Sequence, residues 1–269
     1  MGTATKLDKG VIKRGIITPD KHFPLHSKKA IDIVCKAIEI IKPDFYVDLG
    51  DTGEFESISH WQWKKKKRPP LEYQLPRLYK ELGAINSGMD IIDESLDKAN
   101  VKKRYFCEGN HELWLNTFSE ENPYLEGLKV RDALLLKYRG YNYYPNGDFL
   151  KIGHLWFYHG NHFGGIHHTR NHLLRLGVNV MYGHWHDMQQ TSITQMDGPK
   201  SAWSIGCLKD MSNEKNSFLG GRKTNWAHGF AVVDYYDDNR FTVHPINIID
   251  GVTSLWGKKL ISDAKRFQI

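Results

Sequence analysis

The chain has 269 residues, 40% hydrophobic and 25% charged, enough apolar content for a buried core and too much for a disordered chain. No apolar run approaches the roughly 18 residues of a membrane span, and the polar first residues lack the apolar centre of a secretory signal, so a cytoplasmic protein is expected. The net charge of +6 is concentrated, because Lys64, Lys65, Lys66, Lys67 and Arg68 leave only +1 elsewhere, and the scattered Cys35, Cys107 and Cys207 exclude a disulfide framework or CxxC zinc site.

Residues 15–18 (Gly-Ile-Ile-Thr) read as a short buried strand stopped by Pro19. Ser27 is placed to cap a helix whose apolar face is Ile31, Val34, Cys35, Ile38 and Ile41, and Pro43 ends it. Residues 44–49 and 101–107 read as the next two strands, so the chain opens as a βαβ unit with a loop after each strand. Between them, residues 53–100 read as an insertion overhanging those loops. It is first aromatic and basic (Trp61, Trp63, then the Lys run), then helical over 71–97, with Pro70 at the start and a kink or break at Pro76.

In the second half, residues 154–159, 178–182, 192–195, 202–205, 229–235 and 241–245 carry strand patterns, and 171–176 a helical one. Asp237-Asp238-Asn239 supplies a hairpin turn. The expected architecture is α/β (α+β), one domain over residues 1–269, with two packed mixed β-sheets flanked by helices.

Five short motifs stand at strand ends: Asp20-Lys21-His22, Gly50-Asp51, Gly109-Asn110-His111-Glu112, His159, and Gly183-His184-Trp185-His186. Each alone is common by chance. Together they supply carboxylate, imidazole and amide oxygen, the donors that hard and borderline divalent metals take. The adjacent glycines allow tight turns after the strands.

The order of these motifs resembles the calcineurin-like metallophosphoesterase superfamily, whose pattern is D-x-H, G-D, G-N-H-[D/E], H and G-H-x-H. The resemblance runs from Asp20 to His186, and the Asn225-Trp226-Ala227-His228-Gly229-Phe230 stretch resembles phage members of the superfamily. It implies a four-layer αββα sandwich holding two divalent metal ions, one bound by Asp20, His22 and His186 and the other by Asn110, His159 and His184, with Asp51 bridging. A hydroxide between the metals would then attack phosphorus. His111 would stabilise the transition state or protonate the leaving oxygen. Manganese is the expected metal, with iron, zinc, nickel or magnesium as alternatives.

Two departures bear on the substrate. Relatives that are protein phosphatases carry an arginine shortly after Gly-Asp, whereas here Thr52-Gly53-Glu54 follows. Many relatives have Asp where Glu54 stands, so Glu54 is expected to support a ligand. Lysines beside Trp61 and Trp63 suit the stacking and phosphate attraction of a nucleic acid. The expected activity is therefore a phosphodiesterase or nuclease on DNA or RNA, in the host cytoplasm if phage-encoded, with Trp61, Trp63, Lys64, Lys65, Lys66, Lys67 and Arg68 binding substrate. The alternatives are a phosphomonoesterase, a non-catalytic nucleic-acid-binding module, and a small His-Asn-His nuclease that would leave Asp20, Asp51 and His184 unexplained. His162, His167, His168 and His172 read as a polar loop on the site's rim.

Overall fold

The structure is a computed structural model that describes residues 11–59, 64 and 67–267. In chain order, β1 (Val11–Thr18) leads into α1 (Lys28–Ile41), β2 (Phe45–Asp48) and the long α2 (Leu71–Lys98). Then come β3 (Lys103–Cys107), α3 (Asn110–Glu121), the short α4 (Val130–Ala133) and β4 (Tyr141–Tyr144). Strands β5 (Leu150–Ile152) and β6 (Leu155–Phe157), helix α5 (His168–Leu176), and strands β7 (Asn179–Tyr182), β8 (Met188–Gln195) and β9 (Gly198–Ile205) follow. Strands β10 (His228–Tyr236), β11 (Phe241–Ile248), β12 (Val252–Leu255) and β13 (Lys258–Ile261) come last.

Among the described residues these strands form a six-stranded sheet, ordered β11-β10-β1-β2-β3-β4, a five-stranded sheet, ordered β5-β6-β7-β9-β8, and the β12-β13 hairpin. Strands β1 to β4 run parallel, with Ile16 opposite Tyr46 and Tyr46 opposite Arg104. In the second sheet β6, β7 and β9 run parallel. The period-two alternation of side chains sets the layers. Ile16, Tyr46 and Phe106 face α1 and α2, while Ile17, Val47 and Cys107 face Phe157, Met181 and Ile205 of the second sheet. On that sheet's far side, Val180, Tyr182 and Ala202 pack under Leu173 and Leu176 of α5. The result is the four-layer αββα sandwich.

Helix α1 begins as its sequence indicates: Ser27 Oγ accepts from Ala30 N at 3.3 Å, and Lys42 ends it in the left-handed region. Helix α2 corrects the expectation for residues 53–100. Its residues Leu78, Leu82, Ile85, Met89, Ile92 and Leu96 are buried against α1 and the sheet, so this part is core and does not overhang the site. Nor does Pro76 break it. The helix runs on from Leu71 to Lys98, because a proline this near the start removes a single i→i−4 bond from a long, well-packed helix.

Parallel strands in both sheets deliver the loops after β1, β2, β3, β6 and β7 to one end of the molecule. In open α/β sheets the crevice beyond the carboxyl ends of the strands is where ligands bind.

Candidate metal centre

All seven predicted donors meet at that end. Asp20, His22 and His186 place ligand atoms within 4.8 Å of one another, and so do Asp51, His159 and His184. Asn110 Oδ1 joins the second group, 3.0 Å from His159 Nε2. Within the groups, His22 Nε2 lies 3.1 Å from His186 Nε2, and His159 Nε2 lies 3.1 Å from His184 Nδ1. Such spacings would let the donors of each group share one cation at bonds of about 2.1 Å.

Partners behind the donors aim them. His159 Nδ1 donates to the Leu49 carbonyl at 2.9 Å, leaving Nε2 free to face the group. His22 Nδ1 lies 2.8 Å from Glu54 Oε2, which turns Nε2 toward Asp20 and His186. Asp51 Oδ1 accepts from His111 N at 2.9 Å, and its Oδ2 faces both groups, 3.3 Å from His159 Nε2 and 3.9 Å from His22 Nε2. Burial disfavours a charged His159, yet Asp51 and Asp20 hold its pKa up to about 10, while burial and the charge on His159 push His184 down to about 3. Two buried carboxylates facing one space favour positive charge there, and the donor chemistry fits divalent cations.

The backbone is shaped for this convergence. A Cβ on Gly183 would stand 2.0 Å from Asp20 Oδ1, and one on Gly109 would stand 2.2 Å from Asp51 Oδ1. Neither loop could approach its partner with any larger residue.

Glu112 is the residue that the sequence reading left without a role. It is buried at the third position of α3, and its carboxylate gathers the N–H groups of Asp51 (2.8 Å), Thr52 (2.7 Å), Gly53 (3.0 Å) and Gly109 (3.0 Å). The Gly-x-x-Glu spacing at a helix start was the available signal. Lys21, also buried, pairs with Asp48 Oδ1 at 2.8 Å beneath the Gly50 turn.

His111 stands beside the candidate donors, half-buried. Its Nδ1 is 2.6 Å from the Glu54 carbonyl, its Nε2 is 3.8 Å from Asp51 Oδ2, and its ring lies 4.0 Å from that of Trp114. A cleft of about 590 Å³ opens over His22, Asp51, His111, His184 and His186, walled by Trp114, Lys209, Lys215, Phe218 and Trp226. Lys209 Nζ is buried and pairs with Glu54 Oε2 at 2.8 Å.

The basic segment is not part of that wall among the described residues. Lys64, Lys67 and Arg68 are exposed, and Arg68 pairs with Glu121 at 3.2 Å. Trp61, Trp63, Lys65 and Lys66 lie outside the described residues. Of the four histidines after His159, His162 and His167 are exposed, but the other two differ from a polar rim. His168 and His172 are buried where α5 packs on the second sheet, with His168 between Tyr182 Oη (2.8 Å) and Asp187 Oδ2 (3.1 Å).

No protein-family model matches the chain. In sequence it is similar to the Gene 54 protein of Mycobacterium phage D29, 24% identical over 265 residues spanning 91% of this chain and 97% of that protein. It is likewise similar to the Gene 54 protein of Mycobacterium phage L5, 23% identical over 266 residues spanning 91% and 98%. Among solved structures it is similar to Vps29 from Entamoeba histolytica, with TM-score 0.48 and 12% identity, covering 93% of this chain and 99% of that one. A dimetal phosphatase from Danio rerio gives TM-score 0.43 and 10% identity, covering 87% and 96%. Pseudomonas putida nuclease MPE gives TM-score 0.33 and 10% identity, covering 86% of each. The ordered convergence of separate strand-end loops, more than any single motif, is the arrangement that the resemblance to the calcineurin-like metallophosphoesterase superfamily implies.

Proposed function

We propose that this protein is a dinuclear-metal phosphodiesterase acting on nucleic acid. One cation would be held by Asp20, His22 and His186, the other by Asn110, His159 and His184, with Asp51 between them. The observation that carries the reading is Asp51 Oδ2, which stands 3.3 Å from His159 Nε2 and 3.9 Å from His22 Nε2, one donor from each set. When bound, such a pair polarises a phosphoryl oxygen and lowers the pKa of water; the donor set, without thiolates, suits manganese, iron, zinc, nickel or magnesium.

The chain's own residues orient and move the proton. The Glu54 carbonyl pins His111 Nδ1–H, so a second proton on Nε2 points toward Asp51 and the cleft. There it is placed to pass to the leaving oxygen of an ester. No arginine lines the cleft among the described residues, so the bidentate clamp suited to a terminal phosphate is lacking. Lysines with aromatic neighbours suit a phosphate that links two groups. The two sheets and their shared inter-sheet core are read as one catalytic domain. Since the two curated relatives are phage proteins, the proposed setting is the cytoplasm of an infected host.

The test compares the protein and its Asp51→Asn variant, with manganese, on an aryl phosphomonoester, an aryl phosphodiester, and single- and double-stranded oligonucleotides. Metal-dependent oligonucleotide cleavage is expected, reduced at least about a hundredfold in the variant. Turnover of the monoester alone would replace this reading with a phosphatase. Retention of oligonucleotides with no turnover of any substrate would replace it with a binding module.

A further inference from the structure

The wall of the cleft carries three aromatic side chains, Trp114, Phe218 and Trp226. Phe218 sits on a short 3-10 turn, Ser217–Leu219, and is 70% exposed at the cleft mouth. Phe218 does not stand singly, because Trp114 and Trp226 line the same cleft, and grouped apolar surface rimmed by polar residues is what marks a contact site. The turn is built firmly. Asn216, buried beneath it, donates from Nδ2 to the carbonyls of Asp210 (2.7 Å) and Ser212 (2.9 Å). Trp226 is anchored beside it, because its neighbour Ala227 donates to the His186 carbonyl at 2.8 Å and its ring lies 4.6 Å from that of His186. Positive charge accompanies the rings: Lys209 Nζ stands 5.8 Å from the Phe218 ring centroid, and Lys215 lines the same wall.

We infer that Phe218 and Trp226, with Lys209 and Lys215, form a slot for one unpaired nucleotide, which makes single-stranded nucleic acid the preferred substrate. This inference rests on the phosphodiesterase reading above. A ring from the strand stacks on the aromatic side chains, and its phosphate meets the exposed Lys215, with the buried Lys209 adding its charge from beneath, and leads into the metal centre. Stacking on an aromatic wall is sequence-tolerant, since every base has a π-face. It needs an unstacked base, because a base inside a duplex already has both faces covered by its neighbours. DNA and RNA single strands share this chemistry.

The test measures binding by fluorescence anisotropy in the Asp51→Asn background, which keeps the probes intact. The probes are a labelled 15-mer of single-stranded DNA, the same length of RNA, a DNA duplex, and a DNA strand with abasic sites. Adding Phe218→Ala should weaken binding of the single strands about tenfold, leave the duplex unchanged, and leave the abasic strand unchanged. Phe218→Tyr should restore single-strand binding, which a merely structural role for the side chain would not predict. Equal loss on DNA and RNA assigns the slot to both; loss on one alone assigns it to that strand type. Oligonucleotide cleavage with binding indifferent to Phe218→Ala would overturn the slot while leaving the phosphodiesterase standing. Failure of the wild-type protein to cleave any oligonucleotide would overturn both.

Discussion

His22, Asp51, His184 and His186 all take a positive φ, at 53, 45, 63 and 61°. For residues with a Cβ this conformation costs roughly 1–2 kcal/mol each, and it persists because the surroundings fix the loops. Glu112 collects four backbone N–H groups around the Asp51 turn, and Asp20 accepts from His184 N at 2.9 Å. Glu54 plays a comparable part for His22, its Oε2 standing 2.8 Å from both His22 Nδ1 and Lys209 Nζ. Glu54→Gln is therefore expected to weaken divalent-metal binding about 10–100-fold, read by calorimetric titration of metal-free protein with manganese. Unchanged affinity would mean that the backbone alone orients His22. At this scale the candidate donors, their types and their order were legible in the sequence. Of the supporting residues, Glu54 was legible from its place after Gly50-Asp51, whereas Glu112 was less so, because its carboxylate gathers backbone N–H groups from a loop about sixty residues away.

At the scale of elements, α5 shows how a histidine-rich stretch becomes structure. His172 stacks on Tyr182 with centroids 3.9 Å apart, and its Nδ1 donates to the His168 carbonyl at 2.7 Å. Burial lowers its pKa from 6.5 to about 4, with the carbonyls partly opposing. The unfolded chain therefore takes up this proton first as pH falls. Stability present above about pH 6.5 is lost toward pH 4. His172→Phe keeps the stack and removes the proton, so the fall in Tm between pH 7.5 and pH 5 should shrink relative to the wild-type protein. An unchanged pH dependence would show that other buried histidines carry it. The helix itself was legible over 171–176. Its burial was not, because short polar runs such as this one read as surface until a sheet is placed against them.

For the whole molecule, the segment after β13 is tied to α1 by one buried carboxylate. Asp32 accepts from Ser262 Oγ at 2.8 Å and Arg266 Nε at 3.0 Å, and pairs with Lys36 at 3.0 Å. The end of the described chain thereby braces the outer helical layer, behind the sheet whose other edge bears the site. Asp32→Ala removes the acceptor of Ser262 Oγ and Arg266 Nε, although Lys36 keeps Asp263 and Arg266 keeps Glu39. It should cost about 2–3 kcal/mol, which lowers Tm by roughly 4–10 °C and leaves metal affinity unchanged. An unchanged Tm in differential scanning calorimetry would show that the segment is held by its apolar contacts instead. Among the described residues, no helix is long and apolar enough to cross a membrane.

The sequence by itself determined the donor types, their order and their placement after strands, because strand and helix periods are local and the glycines mark the turns. It also determined the βαβ opening, although β4, β5, β12, β13, α3 and α4 carry no clear pattern, their apolar runs being short or masked by polar and aromatic residues. Only the tertiary structure decided that Asp51 Oδ2 faces both donor groups, since that depends on how two sheets pack. It likewise decided that α2 is core and that the cleft wall comes from Lys209, Lys215, Phe218 and Trp226. Those four residues lie in the connection between β9 and β10, which carries no periodicity, and approximately a hundred residues separate them from the His111 they stand beside. Proximity across such distances is set by strand order and loop closure, which leave no local signature in sequence.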